Sequence, residues 1–374
     1  MKKFLPLVVG PLFCTCAMAQ SSVTLYGIID AGLTYVSNTG GQHSYFFDDG
    51  ISYGNRVGFS GTEDLGGGNR AVFKLENGFR LGNGQLNQGG AMFGRQAYVG
   101  LGNNWGTLTL GNQYDFAFAY TSAFHISGYG TGYGVHLGDA DRQGGDRLKN
   151  SVKFESTNFH GLVVAGLYSF SNTAGNFRDG SAWGLGSTYT MGSFSAGGNY
   201  TRLNSPSGLA GLDPYAQFGI TTMLGQTVAT VNSATGAVTD LHSSTPFQVD
   251  SQSILGLGAS YAFNKLTVSG DFSSTTFKGY GESSTLRVYE TGLQYHATPA
   301  LSLISGYQYT TFEGHHWHEV ALATHYSLSK TTDVYAGLDW MRASEGVDAV
   351  IGYAFTPSSG RTQMDARIGM RHNF

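Results

Sequence analysis

Beyond residue 16 the chain has no cysteine: its two, Cys14 and Cys16, both stand in the opening segment. That excludes a disulfide scaffold and a thiolate metal centre for everything that follows. Charge is scarce as well. Asp, Glu, Lys and Arg make up 12% of the chain, about half of what an ordinary large soluble protein carries. No apolar run approaches the roughly 20 residues that a membrane helix needs. A strict glycine triplet is missing despite 56 glycines, and 24 phenylalanines with 22 tyrosines exclude both collagen and glycine-rich disorder. A basic surplus is missing too: without Lys2 and Lys3 there are 19 basic against 25 acidic residues, a net of about −6, which argues against nucleic acid as a partner.

What is present begins with a leader. "MKKFLPLVVGPLFCTCAMAQ" joins two lysines to an apolar stretch from Phe4 to about Phe13 and then to the small-x-small run Ala17-Met18-Ala19, the layout of a cleaved secretory signal. The stretch is too short to span a bilayer and is interrupted by Pro6 and Pro11, so residues 1–19 read as a removed signal and 20–374 as the mature chain, starting at Gln20.

Alternation with period two dominates the remainder. Leu301, Leu303, Tyr307 and Tyr309 share one parity while Ser302, Gln308 and Thr310 share the other, and Leu255, Leu257, Ala259, Tyr261 and Phe263 alternate with Gly256, Gly258 and Ser260. One apolar and one polar face marks an antiparallel strand. Strands of about 10 residues, long and short connections in strict alternation, and apolar faces ending in Tyr, Phe or Trp favour a membrane barrel over a soluble sandwich. The pattern predicts an all-β, 16-stranded antiparallel transmembrane β-barrel. Its strands run from 22–36 through 52–61 and 69–79 to 362–374, with both ends on the periplasmic side and long outer loops at 115–146, 204–252 and 344–361.

"VTLYGIIDAGLTY", "NRVGFSGTEDLGGGNRAVFKLENGF", "FGRQAYVGLGNNWGTLTLGNQYD" and the terminal Phe374 resemble the general trimeric porins of Gram-negative outer membranes, above all their beta-proteobacterial branch. The resemblance covers essentially all of 20–374; it is dense over 22–165 and weaker over 204–252 and 344–361. It implies a homotrimer in contact with outer-membrane lipid and lipopolysaccharide, and a passive diffusion channel for small hydrophilic solutes and ions. It implies that Phe374, ending a lipid-facing stripe of Met364, Ala366, Ile368 and Met370, is the signal read by the barrel assembly machinery, with His372 a polar interruption. It also implies that residues 115–146 fold into the lumen as a constriction loop facing a wall of arginines.

Parity assigns that wall. Val57 and Phe59 face lipid, which turns Arg56 inward; Lys74 and Glu76 point in beside outward Phe73 and Leu75; Arg95 points in and Tyr98 out; Arg147, Lys149, Lys153 and Glu155 point in around outward Val152 and Phe154. A guanidinium at the lipid midplane costs about 2–4 kcal/mol, which favours the inward assignment. Under the resemblance, Arg56, Arg95 and Arg147 match the basic side of the constriction, joined by Lys74 and Lys153. Phe116 to Gly138 contains no carboxylate; Asp115 starts the loop, and Asp139 and Asp141 stand near its end. Weak anion preference or little selectivity is therefore expected, with Asp30, Glu76 and Glu155 as inward counterweights. Tyr129 is expected in the lumen, where His125 and His136 would add positive charge on protonation at about pH 6–7. Small residues at Ala196, Gly197 and Gly198, and at Gly27 and Ala31, read as outward faces suited to contact between barrels.

No enzyme is expected. "GLGNNWG" from Gly100 has the wrong spacing for a dinucleotide loop and leads into a strand. "HHWHE" at His315 to Glu319 alternates across two faces and reads as a solvated outer tip instead of a metal site. No serine, histidine and acid set has assignable proximity, and no cofactor or metal is implied. Two alternatives stay open: a substrate-specific outer-membrane channel for sugars or organic acids, and a barrel serving as a surface adhesin.

Overall fold

The computed structural model describes residues 22–205, 212–352 and 355–374; the expected signal, residues 1–19, and the start at Gln20 lie outside the described residues. The protein is a closed antiparallel barrel. Its strands are β1 Ser22–Thr39, β2 Gln42–Asp49, β3 Arg56–Gly66, β4 Asn69–Gly78, β5 Gln96–Gly102, β6 Gly106–Tyr114, β7 Arg147–Ser156, β8 Leu162–Ser169 and β9 Ala182–Met191, followed by β10 Phe194–Asn204, β11 Ser251–Phe263, β12 Leu266–Gly279, β13 Glu282–His296, β14 Leu301–Phe312, β15 His315–Ser327, β16 Thr332–Ala343 and β17 Thr362–Asn373. In hydrocarbon an unpaired backbone group costs several kcal/mol, so a membrane sheet is stable only when it has no edge. Here β17 pairs with β1 from Ile28↔Asn373 to Val36↔Asp365. Phe374 extends the seam: its amide donates to Gly27 O at 3.1 Å and its carbonyl accepts from Gly27 N at 2.9 Å.

The expected sixteen wall positions are present, but one is shared by two strands. β2, absent from the expected strands, pairs with the outer half of β1, and β3 pairs with the inner half. Residues 50–55 between them leave the ladder, so the strand expected at 52–61 begins only at Arg56. The Asn55 side chain fills the gap by accepting the Asp30 amide at 2.6 Å. The strict alternation of long and short connections also fails. Tyr280 and Gly281 join β12 to β13, and Glu313 and Gly314 join β14 to β15, as two-residue turns on the outer side with positive φ at all four positions. That is the backbone a tight hairpin requires.

Parity holds on the lipid face except in β5, where Val99 and Leu101 are the exposed residues and Tyr98, expected outward, turns inward opposite Lys74. Leu25, Leu33, Val99, Leu101, Leu257 and Ile368 are exposed outward, and Trp105, Tyr261, Phe263, Tyr295, Tyr326 and Phe374 stand at the short-turn end. The lumen departs from a uniformly polar lining. Inward-facing Phe277, Leu286, Val288, Phe312, Trp317 and Met341 are buried at the outer end of the barrel. They pack against Phe218, Met223, Leu224 and Phe247 of the loop after β10 and against Val347 to Ile351 of the loop after β16. The two long loops thus fold back over the mouth as an apolar cap. Within the first, Asp213 caps the helix Pro214–Phe218 by accepting the Ala216 amide at 3.0 Å, and Gly219 ends it at φ 69°.

Glycines on the inner face of β9 to β14 seat residues 115–146. A Cβ on Gly197 would lie 2.0 Å from Tyr120 O, on Gly258 2.4 Å from the Phe124 ring, and on Gly306 2.3 Å from Ile126 Cγ2. Gly197 therefore faces inward, which corrects its assignment to an outward contact face. Gly27 does face outward, under the Phe374 ring. Replacing Gly197 by Val forces the loop off its seat, an overpacking cost of about 1–3 kcal/mol. Thermal unfolding of G197V should begin at lower temperature with faster proteolysis in 115–146. G270A, whose Cβ would meet nothing closer than 3.6 Å, should match the parent; equal behaviour of the two variants would contradict the seat.

Candidate functional site

Residues 115–146 leave β6 at Tyr114 and return at Arg147, and between them the chain lies along the inner wall. Phe116 and Tyr120 join an apolar cluster with Leu148, Leu167, Leu203 and Ile254. Tyr120 donates to Glu155 at 2.7 Å. The Ile126 amide donates to Glu290 Oε1 at 2.6 Å. Gln308 donates to Gly134 O at 3.0 Å. The two limbs are tied at the base, where Arg142 pairs with Asp115 at 2.5 Å and with Asp146 at 3.4 Å.

Opposite the loop, guanidiniums gather on one patch of wall. Arg95 is held by Glu76 at 2.8 Å and donates to the Tyr114 hydroxyl at 2.5 Å. Arg147 donates to Arg95 O at 3.1 Å and to the same hydroxyl at 3.2 Å, and lies 4.8 Å from the Tyr114 ring centroid. Arg56 donates to Gly54 O at 2.9 Å. A cavity of about 670 Å³ separates this patch from the loop: Arg56, Arg80, Arg95 and Arg147 line one side and Phe118, Ala123, Ser127 and Gly132 the other. The three arginines picked out by parity are thus brought together. Lys74 stands farther along the wall, 5.3 Å from the Tyr26 ring centroid, and neither it nor Lys153 lines this cavity. Lys149 departs from its expected place. A register shift between Gly111 and Gln113, with Asn150 at φ 51°, buries Leu148 inside and leaves Lys149 exposed.

Other lining groups were not legible. Arg80 follows β4 in a loop where parity says nothing. Tyr53, Asp48 and Asp49 reach the cavity through the 50–55 break and β2. Arg367 and Arg371 lie on the inner face of β17, paired with Asp30 at 3.3 Å and Asp333 at 2.5 Å; the same alternation that assigned Ile368 and Met370 outward could have found them. The expected counterweights are all engaged: Asp30 by Arg367, Glu76 by Arg95 and Glu155 by Tyr120.

The loop's own titratable groups face protein. His125 and His136 are fully buried against Glu290 on β13, which corrects their expected place in the open lumen. Tyr129 lies against Gly292 of the wall and does not line the cavity. Burial pushes Asp115 up to about 6 against the pull of Arg142. Burial, with Asp146 and Asp141 nearby, also holds Asp139 well above the ordinary carboxylate range. Burial acts the same way on Asp141, but His136 outweighs it and holds Asp141 near 2. "HHWHE" is not the solvated outer tip expected of it: it opens strand β15, with Trp317 and Glu319 buried inside and His318 outside against Tyr307 at 2.6 Å.

A family model described as Gram-negative porin matches residues 7–346. Outer membrane porin protein 32 of Delftia acidovorans is 28% identical over 96% of this chain and 95% of its own length. Among solved structures, the anion-selective porin from Comamonas acidovorans superposes with a TM-score of 0.72 at 22% identity, covering 95% of this chain and all of that one. OmpT, an outer membrane protein of Vibrio cholerae in its trimer form, gives 0.64 at 16% identity, covering 95% of this chain and 99% of that one. At these identities the two structures bear on the fold.

The cavity makes a direct prediction about access. A cysteine replacing Ala123, which is exposed and lines the cavity, should react with a bulky water-soluble thiol reagent, and single-channel conductance should fall severalfold. A cysteine at the buried neighbour Phe124 should stay unlabelled. Verified labelling at residue 123 with unchanged conductance would place the main current path elsewhere.

Proposed function

We propose how solutes are selected from one premise: the chain belongs to the Gram-negative porin family and is a passive diffusion channel of the outer membrane. In our reading residues 115–146 narrow the lumen to an eyelet, and Arg56, Arg95 and Arg147, with Arg80 and, farther along, Lys74 and Lys153, give it a weak preference for small anions. One observation carries this: an imbalance of partners across the cavity. Among the described residues Arg56, Arg80 and Arg147 have no carboxylate at salt-bridge distance, while Asp48 is held by Arg367 and Glu76 by Arg95. Asp49 is the remaining acid on the passage, and it accepts from Asn55 at 2.7 Å and from the Gly82 amide at 3.0 Å. Uncompensated charge between low-dielectric walls focuses a positive potential on the passing solute. The solved porin from Comamonas acidovorans carries anion-selective in its title, and the reading extends that property to this chain.

A sugar-specific channel has less support. Three of the four aromatic rings on the passage are engaged: Tyr53 lies under Arg371 at 4.1 Å, Phe118 is 4.3 Å from Tyr114, and the Tyr133 hydroxyl donates to Asp48, which leaves Phe47 as a single exposed ring. One ring is not a stacking track, and no second exposed ring stands beside it among the described residues of the cavity. Guanidiniums that can take a carboxylate in a fork make small organic acids the better candidates if saturation is found. We further propose a homotrimer, cleavage after Ala19, no enzymatic activity, and recognition of Phe374 by the barrel assembly machinery. Its ring packs outward on Gly27 while its main chain is paired.

The zero-current potential across a salt gradient tests the selectivity. At about 0.1 M salt the Debye length is about 10 Å, so anion preference should be measurable there and fade toward about 1 M. Replacing Arg56, Arg80 and Arg147 together by Gln should bring the potential to zero or reverse its sign, with Arg95 kept so that Glu76 retains its partner. A cation-selective parent, or a triple variant with unaltered potential, would overturn the reading.

A further inference from the structure

The seat of the inserted loop contains a cluster of metal-ligating groups that the channel function does not use. His125 stands on the outgoing limb and His136 on the returning one, their rings 4.1 Å apart. Both reach Glu290 Oε2, His125 Nδ1 at 2.6 Å and His136 Nε2 at 3.2 Å. Asp271 on β12 is the fourth member, with Oδ1 3.9 Å from His136 Nε2. All four side chains are buried. We propose that His125, His136, Glu290 and Asp271 form a binding site for one divalent transition-metal ion, of the tetrahedral nitrogen and oxygen type that suits zinc.

The surroundings orient these groups as a metal site requires. Asp141 Oδ2 lies 2.5 Å from His136 Nδ1, which leaves Nε2 as the ligand atom facing Glu290. A carboxylate behind a histidine is the usual outer partner of a zinc ligand. Ile126 N takes Glu290 Oε1 and leaves Oε2 for the ion. Gln143 donates to Asp271 Oδ1 at 2.9 Å, while Oδ2, fully enclosed, has no hydrogen-bond partner. An unpaired buried carboxylate oxygen is costly, and a cation beside it removes that cost. An ion about 2.0–2.1 Å from each ligand holds them about 3.3 Å apart. The separation of His136 Nε2 from Glu290 Oε2 already fits, His125 needs to withdraw by about 0.7 Å from its 2.6 Å contact, and Asp271 needs to close in from 3.9 Å. Gln143 also lines the cavity, so the site lies one side chain from the water path. An ion bound there clips both limbs of the loop to β12 and β13.

The site has a rival on the surface. His315, His316 and His318 stand at the outer end of β15 and could take up metal on their own, so the test is done on the full chain with those three replaced by Gln. The refolded protein, stripped with EDTA and dialysed against cobalt, should retain one cobalt per chain and show the strong visible absorption of tetrahedral coordination. Zinc should displace the cobalt, and zinc loading should raise the thermal unfolding temperature reversibly with EDTA. Adding H125Q and H136Q to that background should abolish retention, with barrel formation verified by heat-modifiable migration. No retained cobalt in the background protein, or retention unchanged in the two further variants, overturns the site. If those variants do not fold, stoichiometry and spectrum of the background protein decide alone: octahedral absorption or no metal refutes it.

Discussion

The seam between β1 and β17 is the constraint on which the rest depends. Every backbone donor at membrane depth needs an acceptor within the sheet, and the last free ladder is closed by nine paired positions between Ile28 and Val36 and extended by the mutual bonds of Gly27 and Phe374. Once the ring closes, each residue has one of two fates, lipid or lumen. The 12% charged residues are then compatible with a water-filled interior because most of them are sent to one side. The break at 50–55 is tolerated because it turns inward, where Asn55 substitutes for the missing ladder bond.

The lumen inside that ring is divided. Strands β9 to β14 present glycines where the loop must approach closely, and the loop covers that wall. Strands β3 to β7 and the loops joining them present guanidiniums, and the cavity lies beside them. The two halves support each other: with the loop seated, Tyr120 occupies Glu155, and Tyr133 shares Asp48 with Arg367. Acids that could have balanced the arginines are thereby used in holding the loop and the seam, and the positive side of the passage is left uncompensated.

Much of the fold was legible because a half-wet strand must alternate. The lipid stripe of Leu25 and Leu33 and the inward Arg56 of β3 follow from period two. Three features escaped that logic. Lys149 was misplaced because a bulge at Asn150 breaks the parity count, and nothing in "RLKNSVKFE" announces the bulge. β2 was missed because "QHSYFFDD" places aromatics on both parities. The apolar cap was invisible because Phe277, Leu286 and Trp317 lie on faces that should meet water, and the loop residues covering them are distant in sequence. His125 and His136 were noticed as titratable, but their burial depends on partners at 271 and 290. Period two describes a strand's own faces; it carries no information about what a loop will bring to them.

The loop after β10 divides into a root and a tip. Its root, Met223, Leu224, Val228 and Ala229, is buried in the cap, whereas Val231 to Ala237 are exposed throughout. Substitutions in that tip meet only the medium outside the cell and leave the cap, the seat and the passage untouched. A stretch of this barrel that nothing else packs against is therefore free to diversify, and it can change its appearance without disturbing the cap, the seat or the cavity.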